Sequence, residues 1–373
     1  MCKFLNALLE FYGDYALIRP IQIHDFTKSE LQLLKTGQIQ IFPYRDKSGR
    51  PICCWVGDFT LSSSNTKERM KIALYLFYAM SDNVESQRKG VISLAWMAYF
   101  NSDIAVPSLF PTSEDATTNL SIIYDALPLR ICSHHFCLPD KPHFHLLRSL
   151  MALAMSSCHK QRLKFHVGEE IELRYTVKSY GIPIELVPIT NTGTIKTTYW
   201  KQWIRLRDTL DGMKAKQQQI IINGGGDYGE NSSGGAANNN SFPIMIECPG
   251  STDVIFRAGT TLICHPGNAM FQNLMESKQY EHSIASQVGK MAVIRSIIDE
   301  VKNRGGRFLQ WDSRGWWTEF NGKSYVHAKV AVAVRDFKSR KIAKQNRQIC
   351  NSSTSLFQNQ DGKKRKLSTN GTN

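Results

Sequence analysis

The chain has 373 residues, 42% hydrophobic and 21% charged, with a formal net charge of +14. That length leaves room for two domains, each with its own core, and the composition is that of a soluble globular protein. A membrane span is excluded, because the longest apolar run, residues 91–100, has about half the ~20 residues such a helix needs. The nine cysteines are scattered, and Cys53 and Cys54 are adjacent, which is poor geometry for a bridge; reduced thiols of a cytosolic or nuclear protein are expected instead. The first residues, MCKFLNALLEFYGDYALI, are interrupted by Asn6, Glu10 and Asp14 and do not read as a secretory leader.

Along the chain, residues 39–42 and 51–56 are short β-prone runs around the turn Lys47-Ser48-Gly49-Arg50, which predicts a hairpin. A helix follows, capped by Asn65 with Glu68 in the capping-box position, and Met70, Ala73, Leu74 and Phe77 recur at helical spacing. Residues 91–100 (VISLAWMAYF) are apolar on both faces, as a central strand between helix layers must be. A second strand is expected over 129–137 (LRICSHHFC), then a helix over 143–157, a strand over 163–167 (LKFHV), and a helix whose first turn holds Glu169 and Glu170 at the positive end of its dipole. This alternation predicts an α/β fold, a sheet with crossover helices.

In order and spacing these elements resemble the CRAL-TRIO lipid-binding family, which includes retinaldehyde-binding and phosphatidylinositol-transfer proteins. The resemblance rests on Tyr44-Arg45-Asp46 with Gly49-Arg50-Pro51, on residues 87–100, and on Ala126-Leu127-Pro128-Leu129-Arg130-Ile131 leading into His134-His135-Phe136. Pro142 and Phe144, residues 162–168 (RLKFHVG), Tyr180-Gly181-Ile182-Pro183 and Leu186-Val187-Pro188 complete it, over residues 20–205. The family's paired glycines are reduced to Gly193, residues 100–127 are short for its gating region, and only residues 1–36 stand for its N-terminal helical lobe. The resemblance implies a mixed sheet that holds a lipid or other apolar ligand beneath a movable helix. Leu94, Trp96, Ala98, Ser133 and His135 are candidates for the pocket floor, and each is equally an ordinary core residue of such a sheet.

Between positions 132 and 159 stand Cys132, His134, His135, Cys137, His143, His145, Cys158 and His159, a density that raises the question of zinc. Strand alternation sends Cys132 and His134 to one face and His135 and Cys137 to the other, and no Cys-x-x-Cys pair occurs. His143, His145, Cys158 and His159 lie at opposite ends of one expected helix, so no metal site is predicted. No Gly-x-Ser-x-Gly elbow, His-Glu-x-x-His or phosphate-binding Gly-Lys-Ser/Thr is found. No enzyme activity, catalytic residue or cofactor is expected.

A low-complexity seam follows (QQQIIINGGGDYGENSSGGAANNNS, residues 217–241), and its Gly224–Gly226 triplet reads as flexible linker. Beyond it the charge changes. Residues 241–373 hold 20 Lys and Arg against 10 Asp and Glu, and the preceding chain holds 26 against 22. The expected division is an α/β domain over 1–210, a linker over 211–244, a small basic α+β domain over 245–346 and a disordered tail over 347–373.

In the basic domain, Asp253-Val254-Ile255-Phe256 reads as a strand, and Asn268 after Pro266-Gly267 is placed to cap a helix over 269–280. A helix over 285–302 carries Met291, Ile294, Ile297, Ile298 and Val301 on one face and stops at Gly305-Gly306. Residues 307–311 and 316–320 form an aromatic-rich hairpin, and a last helix after Asn321-Gly322 turns Val326, Val330, Ala333 and Phe337 inward. Residues 251–336 resemble the uncharacterised domain of unknown function 6824. The resemblance is carried by residues 253–256, His265-Pro266-Gly267-Asn268 with Phe271, Arg304-Gly305-Gly306-Arg307-Phe308-Leu309, Trp317 and Ala328-Lys329. Arg257-Ala258-Gly259 stands where that family has Gly-Arg-Gly. The resemblance implies a fold and no activity.

Arg304, Arg307, Arg314, Lys338, Arg340, Lys341 and Lys344 are candidates to track the phosphates of DNA or RNA. Trp311, Trp316 and Trp317 read as core. Lys363-Lys364-Arg365-Lys366 in the tail is a candidate nuclear-import signal, which favours the nucleus over the cytoplasm. The expected protein is therefore a non-enzymatic binder of an apolar ligand and of nucleic acid. The alternative is a scaffold whose basic domain contacts acidic proteins or an anionic membrane surface.

Overall fold

The computed structural model describes residues 2–56, 66–97, 124–154, 157–223, 245–256, 265–320 and 322–340. Asn65, Ala98, Gly224–Gly226, Arg257-Ala258-Gly259, Lys341, Lys344 and the cluster Lys363-Lys364-Arg365-Lys366 lie outside them. The chain begins with three helices: α1 (Cys2–Tyr12), α2 (Tyr15–Ile18) and α3 (Lys28–Thr36). Thr27 caps α3 by accepting from Glu30 N while the Glu30 carboxylate accepts from Thr27 N, a reciprocal capping box. Strands β1 (Ile39–Ile41) and β2 (Ile52–Val56) pair antiparallel. Their turn is fixed by Asp46, whose carboxylate accepts from Ser48 N, Arg50 N and Arg50 Nε. The predicted hairpin is thus formed.

Helices α4 (Thr66–Ser81) and α5 (Val84–Lys89) lead to β3 (Val91–Trp96), all six of whose residues are buried, as its two-faced apolar sequence requires. Strand β4 (Ile131–Leu138), helices α6 (Pro142–Ala154) and α7 (Ser157–Lys160), strand β5 (Leu163–Val167) and helices α8 (Glu170–Ser179) and α9 (Thr198–Asn223) follow. The sheet order is β1-β2-β3-β4-β5, with β2 to β5 parallel, so the fold is a mixed five-stranded α/β sheet. Helix α9 continues past residue 210, where the sequence reading begins the linker.

One face of the sheet is covered by α1, α3, α4 and α9, where Trp200 and Trp203 stack with ring centroids 4.7 Å apart. Helix α9 also places Arg207, 1% exposed, against Asp82 (2.6 Å), Asp211 (3.0 Å) and Glu247 (3.2 Å). Asp211 in turn accepts from Tyr75 Oη and Ile23 N. The opposite face packs Leu94, Trp96 and Cys137 with Leu173 and Val177 of α8 and with Ile182, Val187 and Ile189.

Strands β6 (Met245–Ile246), β7 (Val254–Phe256), β8 (Phe308–Trp311) and β9 (Trp317–Glu319) make a second sheet in the order β6-β9-β8-β7. Helices α10 (Pro266–Ser277), α11 (Gln279–Ile284), α12 (Gln287–Asn303) and α13 (323–340) complete the described chain. Two differences from the periodicity are informative. Helix α10 starts at Pro266, whose fixed φ suits a first helical position, so Asn268 lies inside the helix and not at its N-cap position. On α12 the buried face is Val293, Ile294, Ile297, Ile298 and Val301, while Met291 is 47% exposed. On α13 Val326, Val330 and Val334 are buried, and Ala333 and Phe337 flank them half-buried.

By contacts the chain divides into two compact units: Met1–Ser251, Ile255–Pro266 and Leu309–Glu319 in one, Thr252–Val254, Gly267–Phe308 and Phe320–Asn373 in the other. The first unit thus includes segments that the sequence reading places in the basic domain. The reason is visible in its packing, where Tyr44 and Leu186 join Ile246, Ile255, Leu309, Trp311 and the fully buried Trp317 in one core cluster. Among the described residues no helix is long and apolar enough to cross a membrane.

Candidate functional site

Strand register assembles a row of side chains across the first sheet. Trp55 pairs with Ala95, Ala95 with Phe136 and Phe136 with Phe165, so these four residues of β2, β3, β4 and β5 share one face. Phe136 and Phe165 stack with centroids 5.3 Å apart. Ala95, Phe136 and Leu138 pack with Phe144 of α6, and Trp55, Met97, Leu163, Phe165 and Val167 around them are only partly buried. Helix α6 therefore anchors on the sheet through Phe144 while exposing Leu146 (51%) and Leu153 (73%). Its Arg148 guanidinium lies 5.6 Å from the Phe165 ring centre, a cation at the edge of the aromatic platform. Among the described residues the row is apolar with the Arg148 guanidinium at its rim, the composition of a site for an apolar molecule with a polar end.

The floor residues expected from sequence fall on the other side. Leu94 and Trp96 are buried beneath α8, and the register puts Ser133 and His135 on that same face. Ser133 and His135 belong to a hydrogen-bonded line: His135 Nε2 is 2.9 Å from Ser133 Oγ, and its Nδ1 is 3.0 Å from His166 Nε2. A hydroxyl followed by two imidazoles is the order that activates a nucleophile. Here the line is buried and capped by the Tyr180 ring, and it satisfies polar atoms of a core strand. Burial first, then His166, Lys164 and Arg50, pushes His135 down to about 3, and burial and Lys164 lower His166.

His134 points to the platform face, as alternation predicts, with its ring 4.8 Å from Tyr124 and 5.6 Å from His159. Burial, with His159 and Arg162, lowers its pKa to about 3. Cys132 does not follow alternation. A register shift lets β4 hold one extra residue between the partners of Val91 and Ile92, and Cys132 packs on the Cys54–Leu94 side.

The basic residues divide by what they already hold. In the second unit, Arg307 forks onto the buried Asp253 through Nε (3.1 Å) and Nη2 (2.7 Å), and its backbone N donates to the same carboxylate. Two glycines close on this point: a Cβ on Gly267 would sit 2.0 Å from Asp253 O, and one on Gly306 would sit 2.3 Å from Thr252 O. Arg304 pairs with Glu300 on the surface of α12, and Lys338 and Arg340 are exposed on α13. In the first unit, Arg314 forks onto Asp312 and covers the Trp316 ring at 4.5 Å, while Trp316 and Trp317 are buried and Trp311 is partly buried.

A family model for a Domain of unknown function (DUF6824) matches residues 253–336, less than a quarter of the chain. No curated protein matches the chain. The match opens on Asp253 and takes in Gly267, Gly306 and Arg307.

Proposed function

We propose that this protein is a non-enzymatic binder whose first unit holds a lipid or other apolar ligand on the sheet face floored by Trp55, Ala95, Phe136 and Phe165. The observation that carries the reading is that cross-strand row, partly exposed beside a helix whose described side chains include Phe144 packed on the row and Leu146 and Leu153 exposed. The CRAL-TRIO resemblance supports it, since it implies a ligand over a sheet beneath a movable helix. The floor is moved to the opposite face from Leu94, Trp96, Ser133 and His135, because α8 fills theirs. Truncating Trp55 and Phe165 to alanine together is expected to weaken uptake of a fluorescent phospholipid from vesicles at least tenfold. Each ring lost removes about 1.5–3 kcal/mol of apolar contact. Uptake equal to the parent protein's, with cooperative unfolding retained, is incompatible with the reading.

The basic charge of the chain beyond residue 241 supports nucleic-acid binding as the second activity. Of the candidates named from sequence, Arg304, Lys338 and Arg340 are exposed in the second unit, whereas Arg307 is committed to Asp253. Replacing Lys338 and Arg340 with alanine is expected to reduce the slope of log affinity against log salt for duplex DNA by about 1.8, two phosphate contacts at ~0.9 each. Affinity for DNA that is indifferent to salt favours instead a scaffold that meets acidic proteins or anionic membrane.

A further inference from the structure

Three potential metal ligands from two distant stretches of the first unit come together beside β4. Asp125 belongs to the helical turn at 124–126, and Cys158 and His159 are adjacent on α7. One carboxylate oxygen, the Cys158 Sγ and one His159 nitrogen all lie within 4.8 Å of one another. His159 Nε2 and Asp125 Oδ1 are 3.5 Å apart. That is long for an N–H···O hydrogen bond and close to the ~3.4 Å edge of a tetrahedron of ~2.0–2.1 Å metal bonds. The other carboxylate oxygen, Oδ2, is taken by Lys3 Nζ at 2.9 Å, which holds the carboxylate with Oδ1 turned to His159.

A second observation points the same way. His134 is 0% exposed, and neither ring nitrogen has a hydrogen-bond partner among the described residues. Buried imidazoles are ordinarily hydrogen-bonded, so its nitrogens are available to a ligand that reaches this side of β4. Its ring centre is 5.6 Å from that of His159. Two imidazoles on one tetrahedral ion hold their ring centres about 5–6 Å apart. We propose that Asp125, Cys158 and His159, whose ligand atoms already converge, hold a single divalent transition metal of the zinc type, with His134 turning in from beside His159 as the fourth ligand. The donor set of thiolate, two imidazoles and a carboxylate suits zinc and cobalt and does not suit calcium or magnesium, which take oxygen ligands. Cys158 is exposed and gives the ion its path in, while His134 and His159 are buried. Such an ion would tie the 124–126 turn and α7 to β4, at the N-terminal end of the platform face.

The test is titration of the full-length metal-free chain with Co2+ alone, followed by its visible and thiolate-to-cobalt charge-transfer absorption. One equivalent is expected to bind with tetrahedral intensity and a charge-transfer band. Cys158→Ser, on an exposed side chain, is expected to abolish that band and weaken binding at least tenfold; Asp125→Asn is expected to weaken binding 10- to 100-fold with the band kept. His134→Gln, at a buried position, is read by the same titration only in protein whose unfolding remains cooperative, and there also a tenfold loss is expected. A charge-transfer band that persists in Cys158→Ser, unaltered affinity in Asp125→Asn, or no stoichiometric binding overturns the proposal. A Cys2→Ser control is expected to leave the titration unchanged, and loss of the band there overturns it equally.

Discussion

Arg207→Ala is expected to destabilise the first unit by about 3–5 kcal/mol, the loss characteristic of removing one partner from a buried charge network. The guanidinium is 1% exposed and faces Asp82, Asp211 and Glu247, of which Asp211 is itself buried. Without it those carboxylates face one another in a poorly solvated space. Glu247 already shows the strain of the site, since burial raises its carboxyl pKa and Arg207 only partly offsets this. The nearby Lys214 also reaches Asp82 but is 39% exposed, so Lys214→Ala is expected to cost no more than about 1 kcal/mol. Urea unfolding of the two variants side by side checks the contrast, and equal losses would mean that Arg207 is better hydrated than its position implies.

Gly267→Ala is expected to be the most damaging methyl that can be added to the second unit, at about 3 kcal/mol or more. The new Cβ would lie 2.0 Å from the carbonyl oxygen of Asp253, and that backbone cannot yield without disturbing the carboxylate that Arg307 grips. Gly305→Ala supplies the comparison. Gly305 has φ +73° and nothing within 4 Å of an added Cβ, so its cost is confined to the left-handed backbone, about 1–2 kcal/mol. Hydrogen exchange across α12 in the full chain reads both. Protection there should collapse in Gly267→Ala and fall only modestly in Gly305→Ala.

The strands were legible because their chemistry is local. The run from Val91 and the LKFHV segment at 163–167 announce buried and half-buried strands by composition alone, and the structure places strands there. Which face of the sheet keeps partly exposed aromatic residues was not legible. Alternation separates Leu94 and Trp96 from Ala95, but only the path of the chain after β5, which lays Leu173 and Val177 over the former, decides which set is filled. Convergence of Asp125 with Cys158 and His159 escaped for the same reason, since strand periodicity sorts residues on one element and says nothing of a turn more than 30 positions away. Arg307 read as a free cation because its charge is visible in sequence and the Asp253 carboxylate that neutralises it lies 54 positions off.

The central claim is that the Trp55–Phe165 face carries an apolar ligand, and mass spectrometry of an organic extract of the purified full-length protein tests it most directly. The account predicts a narrow set of lipid-like molecules approaching one equivalent per chain, depleted in the Trp55→Ala/Phe165→Ala protein and retained when Leu94 on the filled face is changed to methionine. A protein that yields no such molecule, and takes up none from mixed phospholipid vesicles, would contradict it.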